Sequence, residues 1–176
     1  MVFDGSGKLS GTSSAMFTGL LLGNPITGTY EAKEDCSITW QLQDDSGAYQ
    51  HFAGKMSADM TVVQFRQTDP GGTRGVMEKT SDSCTPADLQ KTYHFAASGS
   101  TKAMAAGQVA RTVSEKGTID SGNFQVDSDC SVHFVLKLPD FDATMRGFVV
   151  IGGKEILAFE TDPGAMVSAR LTVESK

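Results

Sequence analysis

The chain is short of several things, and each shortage removes a class of function. Positive charge is thin and scattered. Fifteen Lys and Arg stand against 21 Asp and Glu, a formal net charge of -6. No basic stripe is present, which argues against a nucleic-acid partner. No apolar run approaches the roughly 18 residues of a membrane-spanning helix; Leu20-Leu21-Leu22 falls far short, so no membrane partner is expected. Histidine is scarce: His51, His94 and His133 are dispersed, with no second His two or four residues on. With no Cys-x-x-Cys and no His/Cys cluster, no metal site is expected. The Gly-x-Ser-x-Gly elbow, the phosphate loop and the dinucleotide fingerprint are all missing, so hydrolase, kinase and dehydrogenase chemistry lose ground and no cofactor is expected. Asp4-Gly5-Ser6-Gly7 follows Met1 almost at once, so no leader peptide is read at the amino end.

Cysteine is both scarce and odd in number, at Cys36, Cys84 and Cys130. One state is a single disulfide with a free thiol, and Cys84–Cys130 is then the first pairing to consider because both belong to the second half. The other state is three reduced thiols. Spacing alone does not decide between them.

What the chain does have is glycine, 19 residues among much Thr, Ser and Val, a mixture suited to short strands and tight turns. It also repeats itself. Gly28 to Thr80 recurs in order from Gly122 to Val173. Gly28-Thr29-Tyr30 answers to Gly122-Asn123-Phe124, and Asp35-Cys36-Ser37 to Asp129-Cys130-Ser131. Gln67-Thr68-Asp69-Pro70-Gly71 answers to Glu160-Thr161-Asp162-Pro163-Gly164. The halves are read as a first β repeat over 1–80 and a second over 81–176.

Period-2 alternation dominates both. Ile38, Trp40 and Leu42 fall on one face of a strand, with Thr39, Gln41 and Gln43 opposite. Val132, Phe134, Leu136 and Leu138 do the same in the second half, with His133 and Lys137 opposite. Further strands are expected at Gly28 to Ala32, Tyr49 to Met56, Thr61 to Gln67 and Thr73 to Lys79. The second half adds Thr92 to Ser98, Gln108 to Val113, Asn123 to Val126, Thr144 to Ile151, Glu155 to Glu160 and Met166 to Val173. Asp44 to Gly47 and Gly152-Gly153 read as hairpin turns. The two Asp-Pro-Gly triplets suit type II turns, with Asp able to bond back to the turn amides. A short helix is expected only at Thr85 to Lys91, where Thr85 can cap and Pro86 suits the first helical position.

Many strands, short links and almost no helix predict an all-β fold, an antiparallel meander closed into a barrel or folded as a sandwich, with the barrel preferred. The halves are unequal. Phe3 to Gly11 carries a strand–turn–strand signal that the second half lacks, and Thr92-Tyr93-His94-Phe95 has no copy before Phe3. The halves therefore either complete one joint barrel or are two eroded domains.

The pattern Phe3-Asp4-Gly5-x-Gly7, Gly28-Thr29-Tyr30, Asp35-Cys36-Ser37 and Thr68-Asp69-Pro70-Gly71 resembles a group of uncharacterised acidobacterial and fungal proteins. Their unit adds an opening Cys and strand that the first half lacks. In the second half the resemblance runs through Cys84, Leu89, Tyr93, Asp129-Cys130 and Thr161 to Gly164, and the Phe-Asp-Gly turn is missing. The resemblance implies a barrel of lipocalin-like or allene-oxide-cyclase-like type. It leaves Cys36 without the partner that pattern expects, and it carries over no catalytic residue.

Candidate polar groups are few. Glu160, equivalent to Gln67, sits just before the Asp-Pro-Gly turn, and reads either as a strand-end polar residue in water or, where burial raises its pKa towards neutrality, as a general base at a barrel mouth. Asp69 and Asp162 read as turn residues rather than a catalytic pair. Arg66 and Arg146 lie inside strand patterns. Arg146 alternates with Thr144, Phe148 and Val150 and either meets a ligand in a cavity or snorkels to the rim. His51 shares a face with Tyr49, Ala53 and Lys55, turned either to a cavity or to solvent. Tyr93 adds a phenol, Trp40 and Phe148 are candidate lining, and the eight Met suit an adaptable apolar interior. The function these features suggest is a barrel enclosing a hydrophobic small molecule, with Arg146, Glu160, Tyr93 and His51 as catalytic groups of a cofactor-free cyclase or isomerase. The competing expectation is a non-catalytic carrier or a secreted interaction module, and the missing first strand leaves open a homodimer formed by strand exchange.

Overall fold

The computed structural model describes residues 1–176 except 18–19, 46, 82, 103–109, 121–123 and 175–176. Fourteen strands lie among the described residues. They are β1 (Val2–Phe3), β2 (Lys8–Phe17), β3 (Leu20–Ala32), β4 (Ser37–Gln43), β5 (Tyr49–Met56), β6 (Val62–Gln67) and β7 (Arg74–Glu78), then β8 (Thr92–Thr101), β9 (Arg111–Asp120), β10 (Gln125–Val126), β11 (Ser131–Lys137), β12 (Asp142–Val150), β13 (Glu155–Glu160) and β14 (Ala165–Val173). They form two seven-stranded antiparallel sheets, ordered β1-β2-β3-β4-β5-β6-β7 and β10-β11-β12-β13-β14-β8-β9, and one of the two is curled into a half-barrel. The fold is therefore all-β, with the described strands shared between two sheets rather than running through one continuous sheet. The chain divides into two compact units: unit 1 is 1–15 with 22–79, and unit 2 is 16–21 with 80–176.

Three local expectations need correction. The strand expected from Gln108 runs instead from Arg111 to Asp120; residues 108–109 lie outside the described residues. Gly117 within it has no room for a side chain: a Cβ there would come within 2.7 Å of the Phe95 ring. The helix expected at Thr85 to Lys91 is a single 3₁₀ turn, Pro86–Leu89, whose Leu89 is buried in the core of unit 2. Anchoring one leucine needs one turn and no more. The Gly152-Gly153 turn begins one residue early, with Ile151, Gly152 and Gly153 all at positive φ.

Alternation becomes burial as expected. In β4, Ile38, Trp40 and Leu42 are buried and Thr39 is exposed. In β11, Val132, Phe134 and Leu136 are buried. Each such side chain removed from water contributes about 1.5–3 kcal/mol. Unit 1 centres on aromatic packing. The Trp40 ring stacks on Phe52 with centroids 5.1 Å apart, and Phe65 meets Trp40 edge-on at 5.4 Å. Unit 2 has the larger core, with Tyr93, Phe134, Leu136, Met145, Ile156 and Leu171 among its most buried members.

The turns that match in sequence also match in hydrogen bonding. Cys36 and Cys130 are both left-handed, at φ 65° and 64°, a conformation that costs an L-residue roughly 1–2 kcal/mol. The same braces hold each. The Asp35 carboxylate accepts from the Ser37 amide and hydroxyl at 2.9 and 2.6 Å, and Asp129 accepts from Ser131 at 3.0 and 2.7 Å. The amides of Cys36 and Cys130 donate to the carbonyls of Lys33 and Asp127, both at 3.0 Å. Only Cys130 is in a disulfide: it is joined to Cys84, and Cys36 is a free thiol.

The Asp-Pro-Gly turns have Gly71 and Gly164 at φ 76° and 86°, as type II geometry requires. Their Asp side chains do not bond back to the turn amides. Asp69 reaches across to accept the His51 amide at 2.7 Å, and Asp162 accepts the Thr144 amide at 2.8 Å. Each thereby fastens the turn to the start of a neighbouring strand.

Candidate functional site

Sheet register sets the inner face of unit 2. Gly147 pairs with Val132 and Ala158, Ala158 with Ala169, Ala169 with Ala97, and Ala97 with Glu115. A row of glycine and alanine thus crosses β12, β13, β14 and β8. The adjacent row holds Phe134, Met145 and Glu160, with Phe134 paired to Met145 and Met145 to Glu160. Val167, Gly99 and Val113 follow on β14, β8 and β9.

Glu160 is the exception in this apolar row. It is 2% exposed, because strand alternation places it on the face of Ile156 and Ala158. Its Oε2 is buried without a hydrogen-bond partner. Burial first, and the charge of Asp162 second, push its carboxyl up to about 7 from the usual 4.5. A carboxyl in this setting can hold a proton near neutrality and release it near neutrality.

The equivalent place in unit 1 is built differently. Gly54 pairs with Ile38 and Phe65, as Gly147 does with Val132 and Ala158. An aromatic ring therefore stands where unit 2 has a methyl group. Phe65 fills that space tightly: a Cβ on Gly75 would lie 2.5 Å from its ring. Gln67, paired with Phe52, stands where unit 2 has Glu160, and its carboxamide donates to Asp69 at 3.3 Å.

The other candidates are dispersed. Tyr93 lies on the same inner face, fully buried, its hydroxyl donating to the Gly153 carbonyl at 3.2 Å. Burial alone pushes its phenol up to about 12. Gly99 lies in the row of Glu160 but two strands across, and Tyr93 is six residues back along β8, about 20 Å at strand rise. The two do not meet. Arg146 is exposed and Phe148 half-buried, with Val150 buried at the strand end, on the face of β12 opposite the buried Ala143, Met145 and Val149. The cavity reading of Arg146 is thereby corrected: the apolar members of its face lie towards the end of the strand, and the guanidinium stands in water. His51 belongs to the solvent-facing row of β5, with its Nδ1 2.9 Å from Asp69. That contact and the His51 amide hold the Asp69 carboxyl below the usual range, the amide being the larger cause. Trp40 is core in unit 1 rather than an exposed lining residue, and its Nε1 is buried without a partner.

Two open grooves lie on outer sheet faces. One, of about 380 Å³ in unit 1, is lined by Thr29, Thr39, Gln41, His51 and neighbours. The other, of about 530 Å³ in unit 2, is lined by His94, Ala96, Lys116, Thr118, Arg170 and neighbours. Among the described residues no group of three or more His, Cys, Asp or Glu could hold a metal, and no helix is long and apolar enough to cross a membrane.

Reading by residue type alone missed the Gly147–Ala158–Ala169–Ala97 row. The signal was available in Glu155-Ile156-Leu157-Ala158-Phe159-Glu160, where period 2 puts a large, a small and an acidic residue on one face. No protein family, no curated protein and no solved structure matches this chain.

Proposed function

We propose that the inner face of unit 2 binds an apolar small organic molecule, with Glu160 as the polar group that meets it. The observation that carries this reading is Glu160 itself, a carboxyl buried among Met145, Phe134 and Val167 with an unpartnered oxygen. Leaving such a group unsatisfied costs about 1–3 kcal/mol or more, a cost expected where a site is kept for use rather than for stability. The residues in the row beside it are small, with Ala158 at the register position where unit 1 carries Phe65. Met145 supplies a pliable wall. Turnover at this site would be a cofactor-free isomerisation or cyclisation, with Glu160 moving the proton and the apolar surface holding the reactive conformer. Carrying without turnover uses the same face.

The finer reading of the fold belongs here too. We take the two units as copies of one module, of the kind the acidobacterial and fungal resemblance describes, with a lipocalin-like or allene-oxide-cyclase-like barrel as the parent form. The matched turns at Cys36 and Cys130 support it. A second reading, a secreted interaction module, draws on the polar groove of unit 1 around Gln41 and His51 and on the Cys84–Cys130 disulfide, which suits an oxidising compartment. Native mass spectrometry of protein from its own host separates these. A co-purifying mass of a few hundred daltons, lost in Glu160→Ala and kept in His51→Ala, supports the inner-face site. A clean mass in saturating host extract rejects the carrier form and leaves a transient-substrate enzyme or the interaction module, and the same spectrum reports monomer or homodimer.

A further inference from the structure

Resting on that reading, we infer that Glu160 works as a neutral carboxylic acid, a hydrogen-bond donor standing where unit 1 has the Gln67 carboxamide, and that its ligand is an uncharged apolar molecule with a carbonyl oxygen. The argument starts from the internal comparison. Gln67 and Glu160 hold the same register position, each opposite the strand that its following Asp fastens. In unit 1 the side-chain N–H at that position donates to Asp69. An ionised Glu160 has no proton to donate and faces Asp162 as a like charge. A protonated Glu160 is close to Gln67 in size and has one O–H to give.

The surroundings favour the neutral form. Around Glu160, strands β11, β12, β14 and β8 turn apolar side chains to the inner face, apart from the distant phenol of Tyr93. Strand β9 presents Glu115, paired with Ala97 one row away, and Asp162 follows in the turn. Arg146 is on the opposite face of the sheet and exposed. Strand β9 also puts Arg111, paired with Thr101, on that face, but three strands from Glu160, where its guanidinium donates to the Asp140 carbonyl at 3.2 Å and lies over the Phe141 ring; the charge nearest Glu160 is that of Asp162. An acid held neutral by apolar burial donates strongly to a carbonyl oxygen. Proton donation to that oxygen, with loss of a proton from the adjacent carbon to the resulting carboxylate, would convert a ketone to its enol and leave Glu160 reprotonated.

Carbon-detected NMR titration of the Glu160 carboxyl in the intact chain, assigned with Glu160→Gln, tests the protonation state. Ligand-observed NMR with cyclohexanone and cyclohexylamine as matched probes tests the ligand class. The expected result is a carboxyl still protonated at mildly acid pH, cyclohexanone bound in preference to the amine, and cyclohexanone binding about tenfold weaker at pH 8 than at pH 6. Glu160→Gln should keep cyclohexanone binding and lose its pH dependence. A carboxyl ionised throughout that range overturns the inference whatever binds. Preference for cyclohexylamine, abolished by Glu160→Gln, overturns it and leaves the inner-face site standing. Binding of neither probe, with the carboxyl titrating as expected, rejects the ligand assignment and the site together.

Discussion

Glu160 gives the protein an unusual dependence on pH. Its folded-state carboxyl sits at about 7, above the ordinary 4.5, so folding favours its protonated form. That contribution is complete below about 4.5 and is lost as pH rises to about 7, on the order of 3 kcal/mol in all. The acid limb has other owners. Asp4, Asp35, Asp59, Asp69 and Asp129 are all held below the usual carboxylate range by hydrogen bonds to their charged forms. Their contribution is lost as pH falls through those lowered values. Denaturant midpoints measured across pH should therefore peak at about 4.5, fall between there and about 7, and level off above it. Glu160→Gln should remove the alkaline fall and leave the acid limb in place. Gln67→Glu should create a second alkaline fall, because it puts a carboxylate against Asp69.

At the scale of the element, strands that share a register pattern do different work. Phe65 on β6 packs against Trp40, Phe52 and the bare backbone of Gly75. Phe65→Ala should cost about 3–5 kcal/mol, measured by chemical denaturation, and Gly75→Ala should also destabilise because its methyl meets the Phe65 ring. Ala158 on β13 holds the same register position in unit 2. Ala158→Phe should abolish ligand binding at the inner face while leaving unit 1 unaltered. Strand alternation was legible in the sequence because β4 and β11 are buried on one face only, so period 2 survives as a plain pattern. The facing of β12 was not. Ala143, Met145, Gly147 and Val149 form its buried side, and two of those four are too small to read as core. Phe148 and Val150 are larger and drew the eye to the wrong face, taking Arg146 with them. Glu160 stood out in the sequence by its place before the turn, and the structure buries it. Tyr93 and Trp40 were found as aromatics, and they proved to be core because residue type does not tell lining from filling.

At the scale of the molecule, the disulfide and the two units make one prediction together. Cys84 and Cys130 are 46 residues apart, and closing a loop of that length restricts the unfolded chain by about 4 kcal/mol in the chain-entropy account. Reduction, or Cys84→Ser, should lower the stability of unit 2 by about 2–4 kcal/mol. Hydrogen exchange should report that loss in β11 and β12 and little change in β4 and β5. Cys36→Ser should change neither. The pairing could be anticipated because both cysteines fall in the second half. The division into two sheets could not, because alternation fixes which face of a strand is apolar and is silent on which strands share a sheet.

That division also sets an order in time. In unit 1 each strand from β4 to β7 pairs with the one made just before it, so this sheet can grow as the chain leaves the ribosome. In unit 2, β8 pairs with β14, and Tyr93 must wait for its partner Val173, far later in the chain. Until then β8 and β9 form a hairpin with one bare edge, open to pairing with whatever strand is nearest. A nascent chain stalled before β14 would present a finished first unit and an unfinished second, and it is at this stage that the protein is most exposed to chaperones, to proteases and to its neighbours on the same message.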